Sequence, residues 1–138
     1  MIQFFNEDVD FDLPQEAQIA RQLDLLCQEQ QRPIGQLNYI FCSDEFLFSL
    51  NQEYLDHDTY TDIITFDQSE DGHTIEGDVF ISVERVAENA EHFGVNFERE
   101  MARVIVHGLL HLLGLSDKTP QDEAEMRAAE DDFLKKLL

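Results

Sequence analysis

Two histidines set four residues apart inside a run of leucines constrain this chain more than any other feature: His107-Gly108-Leu109-Leu110-His111-Leu112-Leu113-Gly114-Leu115-Ser116-Asp117. The apolar residues Met101, Val104, Ile105, Leu109 and Leu112 fall at helical spacing, so the stretch predicts a long helix that begins at Asn96 and packs into the core. Residues i and i+4 share one face of a helix, so His107 and His111 can meet a single ligand. Gly114 is the residue type that ends a helix in a left-handed turn, which lets the chain double back and bring Asp117 to the same place. By itself, a pair of histidines at this spacing is a weak signal, because a helix with two histidines often shows it by chance. Here the surroundings are apolar, where an imidazole is costly unless its nitrogens are occupied, and a carboxylate follows within reach. His107, His111 and Asp117 therefore read as three ligands of one metal ion, with a coordination position left open as in catalytic zinc sites. The alternative is a two-histidine site with Asp117 turned to solvent.

The remaining sequence says what surrounds that helix. Ile2 to Phe5 reads as a first strand, and a helix start is signalled around Asp12-Leu13-Pro14, followed by the stripe Ile19, Leu23, Leu26 and Cys27. Leu37 to Cys42 is strand-like, and Ser43 caps a second helix whose predicted buried face is Phe46, Leu47, Leu50 and Tyr54. Ile63 to Phe66 and Ile75 to Ile81 flank Asp71-Gly72, a tight-turn pair that predicts an antiparallel hairpin. Ser82 starts a third helix that stops near Gly94, and Thr119-Pro120 starts a last, amphipathic one through Met126, Ala129, Phe133 and Leu137. The expectation is an α/β fold: a small mixed sheet of about four strands packed with about five helices, the metal site at the end of the long helix. At 138 residues the chain reads as one domain, 1–138, with no linker or repeat.

Composition narrows the choice of partner. Thirty acidic against nine basic residues give a formal net charge of −21, which repels nucleic acid and anionic membranes at long range. Any nucleic-acid contact must then come from a local patch. Arg99, Arg103, His107 and His111 recur every four residues, and Lys118 follows Asp117. Arg103 and Lys118 are thus the candidate phosphate contacts; the alternative is that the arginines pair with neighbouring acids. No apolar run is long enough to span a membrane and the acidic start does not resemble a signal peptide, so a cytoplasmic protein is expected. Cys27 and Cys42 read as reduced core thiols. His73 and His92 receive no role.

The spacing of His107, His111, Gly114 and Asp117 is similar to the extended zinc motif of metzincin proteases, but Gly108 stands where those enzymes carry the glutamate that deprotonates water. The wider sequence resembles the YbeY family of bacterial endoribonucleases. The resemblance rests on His107 to Gly114, on Leu50-Asn51-Gln52-Glu53-Tyr54, on Thr61-Asp62-Ile63-Ile64-Thr65-Phe66 and on Gly77-Asp78-Val79-Phe80-Ile81-Ser82. It implies a zinc-dependent, single-strand-specific endoribonuclease of ribosomal RNA maturation and ribosome quality control, with one zinc ion, working in the cytoplasm on ribosomal RNA near the ribosome or its proteins. Two positions depart from the family pattern. Asp117 stands where the family's motif usually has a third histidine, and its negative charge makes the centre less electrophilic. Leu55 follows Tyr54 where the family commonly has an arginine suited to clamp a phosphate. His57 is the catalytic candidate to act in its place, as a donor to phosphate or a proton shuttle; the alternative is an exposed loop histidine between two aspartates. Attack on RNA by water and attack by its own 2′-hydroxyl both stay open.

Overall fold

A computed structural model describes residues 1–55 and 60–137. Alternation of short β-branched runs with amphipathic stretches gives β1 (Ile2–Asn6), α1 (Glu16–Glu29), β2 (Ile34–Cys42), α2 (Asp44–Leu55), β3 (Ile63–Asp67), β4 (Ile75–Ser82), α3 (Val83–Phe93), α4 (Phe97–Leu112) and α5 (Pro120–Lys136). The expected four strands and five helices are present. The sheet order is β1-β2-β4-β3, with β1, β2 and β4 parallel and β3 antiparallel at the edge. That mixed arrangement follows from the connections. β1 reaches β2 through α1, whereas β3 returns directly to β4, and only an antiparallel pair can be joined by a hairpin.

Burial places α4 at the centre. Met101, Ile105, Val106 and Leu109 are fully buried and pack with Leu37, Tyr39, Val79 and Ile81 of the central strands and with Leu23 of α1. Helix and sheet approach so closely at Gly108 that a Cβ built there would lie 2.9 Å from Val79 Cγ1 and 3.0 Å from Ile63 Cδ1. Tyr39, buried in the middle of β2, donates its hydroxyl hydrogen to the Ile105 carbonyl of α4 at 2.9 Å. A buried phenol needs such an acceptor, and the bond fixes the register of helix on sheet.

The helix starts follow the sequence signals. The side-chain oxygens of Ser43, Ser82, Asn96 and Thr119 accept from the backbone N–H three residues on, at 3.1, 3.0, 2.8 and 3.0 Å. Three local readings are corrected. Helix α1 begins at Glu16 rather than around Asp12: Phe11 and Leu13 pack against the core, and a turn at Pro14 and the left-handed Gln15 (φ 60°) precedes the helix. The β3–β4 connection is a longer loop than a tight turn. In it the Asp71 carboxylate accepts from the backbone N–H groups of His73 and Thr74, and from the Thr74 hydroxyl. Tyr54 is 61% exposed, while Leu47 and Asn51 carry the buried face of α2. It stands edge-on to Phe66, on the sheet's outer strand, where no further strand covers it.

Cys27 and Cys42 are free and buried. Burial pushes the Cys27 thiol up to about 11 and the Cys42 thiol up to about 12, so both stay protonated and unreactive near neutral pH. The folded protein is accordingly expected to resist alkylation by iodoacetamide at pH 8. The same reagent should modify both thiols in urea, with mass spectrometry as the readout; rapid labelling of the native chain would contradict the burial.

Candidate metal centre

The end of α4 builds the site from backbone outward. After Leu112 the helix stops in a reversal: Gly114 adopts φ 105°, Gly114 N–H donates to the His111 carbonyl and Leu115 N–H to the Leu110 carbonyl. A side chain at residue 114 would be strained, since that φ is the glycine region. The reversal turns the chain across the helix end and carries Asp117 back to the histidines. One ligand atom from each of His107, His111 and Asp117 lies within 4.8 Å of the others. The structure thus brings the Asp117 carboxylate beside the histidine pair.

The partners of the two imidazoles assign a hydrogen to Nδ1 of each. His111 Nδ1 lies 3.1 Å from the Leu115 carbonyl, and a carbonyl only accepts, so Nδ1 carries the hydrogen. His107 Nδ1 lies 2.7 Å from Glu130 Oε2. Glu130 is buried, which opposes its ionisation, but its bonds to His107 and Arg103 outweigh burial and hold its carboxyl below the usual range. An ionised carboxylate also only accepts, so His107 is protonated at Nδ1. In the neutral rings the Nε2 atoms are then the ones with free lone pairs, and they lie 3.0 Å apart. Two lone pairs at that distance repel unless a proton or a metal ion sits between them. Asp117 Oδ2 stands 3.7 Å from His107 Nε2 and 3.6 Å from His111 Nε2. Tetrahedral zinc with bonds of about 2.0–2.1 Å separates its ligands by about 3.3 Å, so this donor set fits a divalent cation in both spacing and chemistry.

Accessibility suits a site that must admit something else. The side chains of His107, His111 and Asp117 are 22%, 30% and 46% exposed, while the wall behind His107 is closed by α5. Burial disfavours a charged His107, yet the Glu130 bond and the charges of Glu130, Asp117 and Asp62 together raise its pKa. Asp62, at the start of β3, is itself pushed up by burial, and Glu100 of α4 likewise. They line, with Asn89, Arg103, Glu130 and the apolar Phe93 and Val104, a small cleft that His107 also borders.

Other candidate residues fall differently. Arg103 does not face outward: its guanidinium donates to Glu130 Oε1 at 2.8 Å and to Asp131 Oδ1 at 2.7 Å, and its side chain is only 12% exposed. Of the two sequence readings, pairing with acids is the arrangement observed, and the reason is that α5 lays two carboxylates along the face of α4 that carries Arg103. Lys118 is exposed beside Asp117, as is Arg99 further along α4. His57 lies outside the described residues. Glu130 was not singled out in the sequence, although a signal was there. Met126, Glu130, Phe133 and Leu134 recur at helical spacing as the buried face of α5, and a carboxylate in an apolar stripe requires a partner.

These features define an α/β protein whose central helix presents two histidine nitrogens, and the turn after it a carboxylate, to one partly exposed point. The comparisons with known proteins agree on what that class is here. A family model described as "Endoribonuclease YbeY" matches residues 1–138. The chain is 50% identical to the Endoribonuclease YbeY of Cytophaga hutchinsonii, over 93% of this chain and 90% of that one. It is 46% identical to that of Flavobacterium psychrophilum over 95% and 93% of the two chains, and 44% identical to that of Porphyromonas gingivalis over 96% and 87%. The chain belongs to the endoribonuclease YbeY family. Its fold is shared with the solution structure of TM1509 from Thermotoga maritima, at a TM-score of 0.69 and 24% identity, covering 99% of this chain and 89% of that one.

Proposed function

We propose that this protein is a metal-dependent, single-strand-specific endoribonuclease of 16S ribosomal RNA maturation and ribosome quality control, in which His107, His111 and Asp117 hold one zinc ion. The observation that carries the metal is the pair of Nε2 atoms 3.0 Å apart with a carboxylate oxygen 3.6–3.7 Å from both. The RNA substrate rests on the family, whose relatives at 44–50% identity carry the name endoribonuclease across nearly their whole length. When bound, zinc would supply Lewis acidity toward a phosphodiester oxygen. The chain's own residues orient that chemistry: Glu130 and the Leu115 carbonyl fix the imidazoles, and Asp117 reduces the positive charge of the centre. Lys118, exposed at the rim, is the cation offered to a substrate phosphate, and His57 the candidate proton carrier. With Arg103 engaged by two carboxylates, its part is to hold Glu130 rather than to reach a phosphate. The whole chain acts as one catalytic domain, in the cytoplasm and at the ribosome; among the described residues no helix is long and apolar enough to cross a membrane.

A peptidase reading is disfavoured by Gly108. Its Cα faces Val79, Ile63 and Thr65 of the sheet, so a glutamate there would be aimed at β3 and β4 rather than at the metal. A non-catalytic assembly role draws support from Leu55 and the engaged Arg103, and the test separates the three. Wild type and His107→Ala are incubated with single-stranded RNA, double-stranded RNA and an unfolded protein. Cleavage of single-stranded RNA by the wild type alone is expected. Binding without cleavage would favour the assembly role, and cleavage that persists in the variant would sink the proposed centre.

A further inference from the structure

We infer that Glu130 is the positioning residue of this metal centre, a carboxylate from a different helix that aims His107 at the ion and is itself aimed by Arg103. This rests on the metal reading above and adds to it a residue outside the ligand set.

Glu130 is 4% exposed on α5, which packs along α4. Its two oxygens are divided between two partners. Oε1 accepts from Arg103 Nη1 at 2.8 Å and Oε2 from His107 Nδ1 at 2.7 Å. Arg103 and His107 are one helical turn apart, so a single carboxylate spans both. Asp131, the next residue, takes the second guanidinium nitrogen at 2.7 Å, which leaves Arg103 little freedom to swing away. The result is a chain of fixed contacts, Asp131 to Arg103 to Glu130 to His107, ending at the nitrogen opposite the one that faces His111. An imidazole that donates one N–H to a carboxylate has its other nitrogen oriented and made more basic, and removing such a partner typically weakens metal binding about 10–100-fold. The contrast with His111 sharpens the assignment. Its Nδ1–H goes to a neutral carbonyl in its own helix-end turn, so His107 is the one ligand of the pair whose direction depends on another helix. Packing alone does not account for Glu130 either: an apolar residue at this point in the stripe of Met126, Phe133 and Leu134 would bury with no charge to compensate.

Zinc affinity by chelator competition and the visible spectrum of the cobalt(II)-loaded protein test the inference, alongside thermal unfolding of the metal-free protein. Glu130→Gln keeps the volume, but its amide cannot accept from His107 Nδ1 while also accepting from Arg103. It is expected to bind zinc about 10–100-fold more weakly, with altered cobalt absorption. Glu130→Asp keeps the charge opposite Arg103 and retracts the oxygen from His107, so it should weaken zinc binding even where Glu130→Gln folds poorly. Zinc affinity within twofold of wild type in either folded variant would overturn the positioning role while leaving the three-ligand centre intact. A wild type that takes up neither zinc nor cobalt would instead overturn the centre itself.

Discussion

His111→Ala is expected to yield a folded protein that has lost its metal ion and, with it, cleavage of single-stranded RNA. His111 is partly exposed, and its Nδ1 bond serves only to orient the ring against the Leu115 carbonyl, so truncation leaves no buried group without a partner beyond that carbonyl. What is lost is one of the two Nε2 donors. A histidine and an exposed carboxylate make a poor site for a divalent cation, because the entropy of fixing Asp117, 46% exposed in a turn, is no longer offset by a second neutral nitrogen. After dialysis against a chelator the wild type should retain about one ion per chain and the variant less than about a tenth of that, by atomic emission. His92→Ala, a substitution at the far end of α3, serves as the control and should retain the ion. Equal metal content in wild type and His111→Ala would remove His111 from the centre.

Gly108→Glu should be the most damaging single change to the fold, costing about 4 kcal/mol or more. Even a Cβ at this position would approach Val79, Ile63 and Thr65 within 2.9–3.4 Å, so α4 must lift from the sheet to admit anything larger. Overpacking of this kind costs about 1–3 kcal/mol, and a carboxylate forced against aliphatic side chains adds the cost of a buried, unpaired charge. Urea denaturation would measure the loss of stability. The variant also isolates a chemical point, since it restores the residue that metzincin-type peptidases use as a base. Peptidase activity in whatever fraction folds would show that residue 108 reaches the metal, contrary to its orientation toward β3 and β4.

Both expectations turn on one helix, and much of that helix is legible in the sequence. The spacing of His107 and His111, the apolar residues between them, Asn96 at the start and Gly114 at the end determine its length, its caps and its buried face, because helix periodicity and capping are local rules. The strands and the β3–β4 pairing were readable for the same reason. Local rules failed where a distant contact prevailed. Phe11 and Leu13, packed against the core, delay α1, and the position of β3 at the sheet edge leaves Tyr54 exposed.

The site divides along the same line. Sequence by itself determined the two histidines, the turn at Gly114 and the return of Asp117, all within eleven residues of one another and governed by helix geometry. Only the tertiary structure decided what stands behind them. Glu130 lies 23 residues from His107 and Asp131 lies 28 from Arg103, on a helix whose orientation against α4 depends on the packing of Met126, Phe133 and Leu134. That packing turned Arg103 from a candidate for substrate phosphate into an anchor for Glu130. A side chain's spacing shows which neighbours on its own helix it meets, but which charge it answers across the core depends on where the fold lays the next helix down.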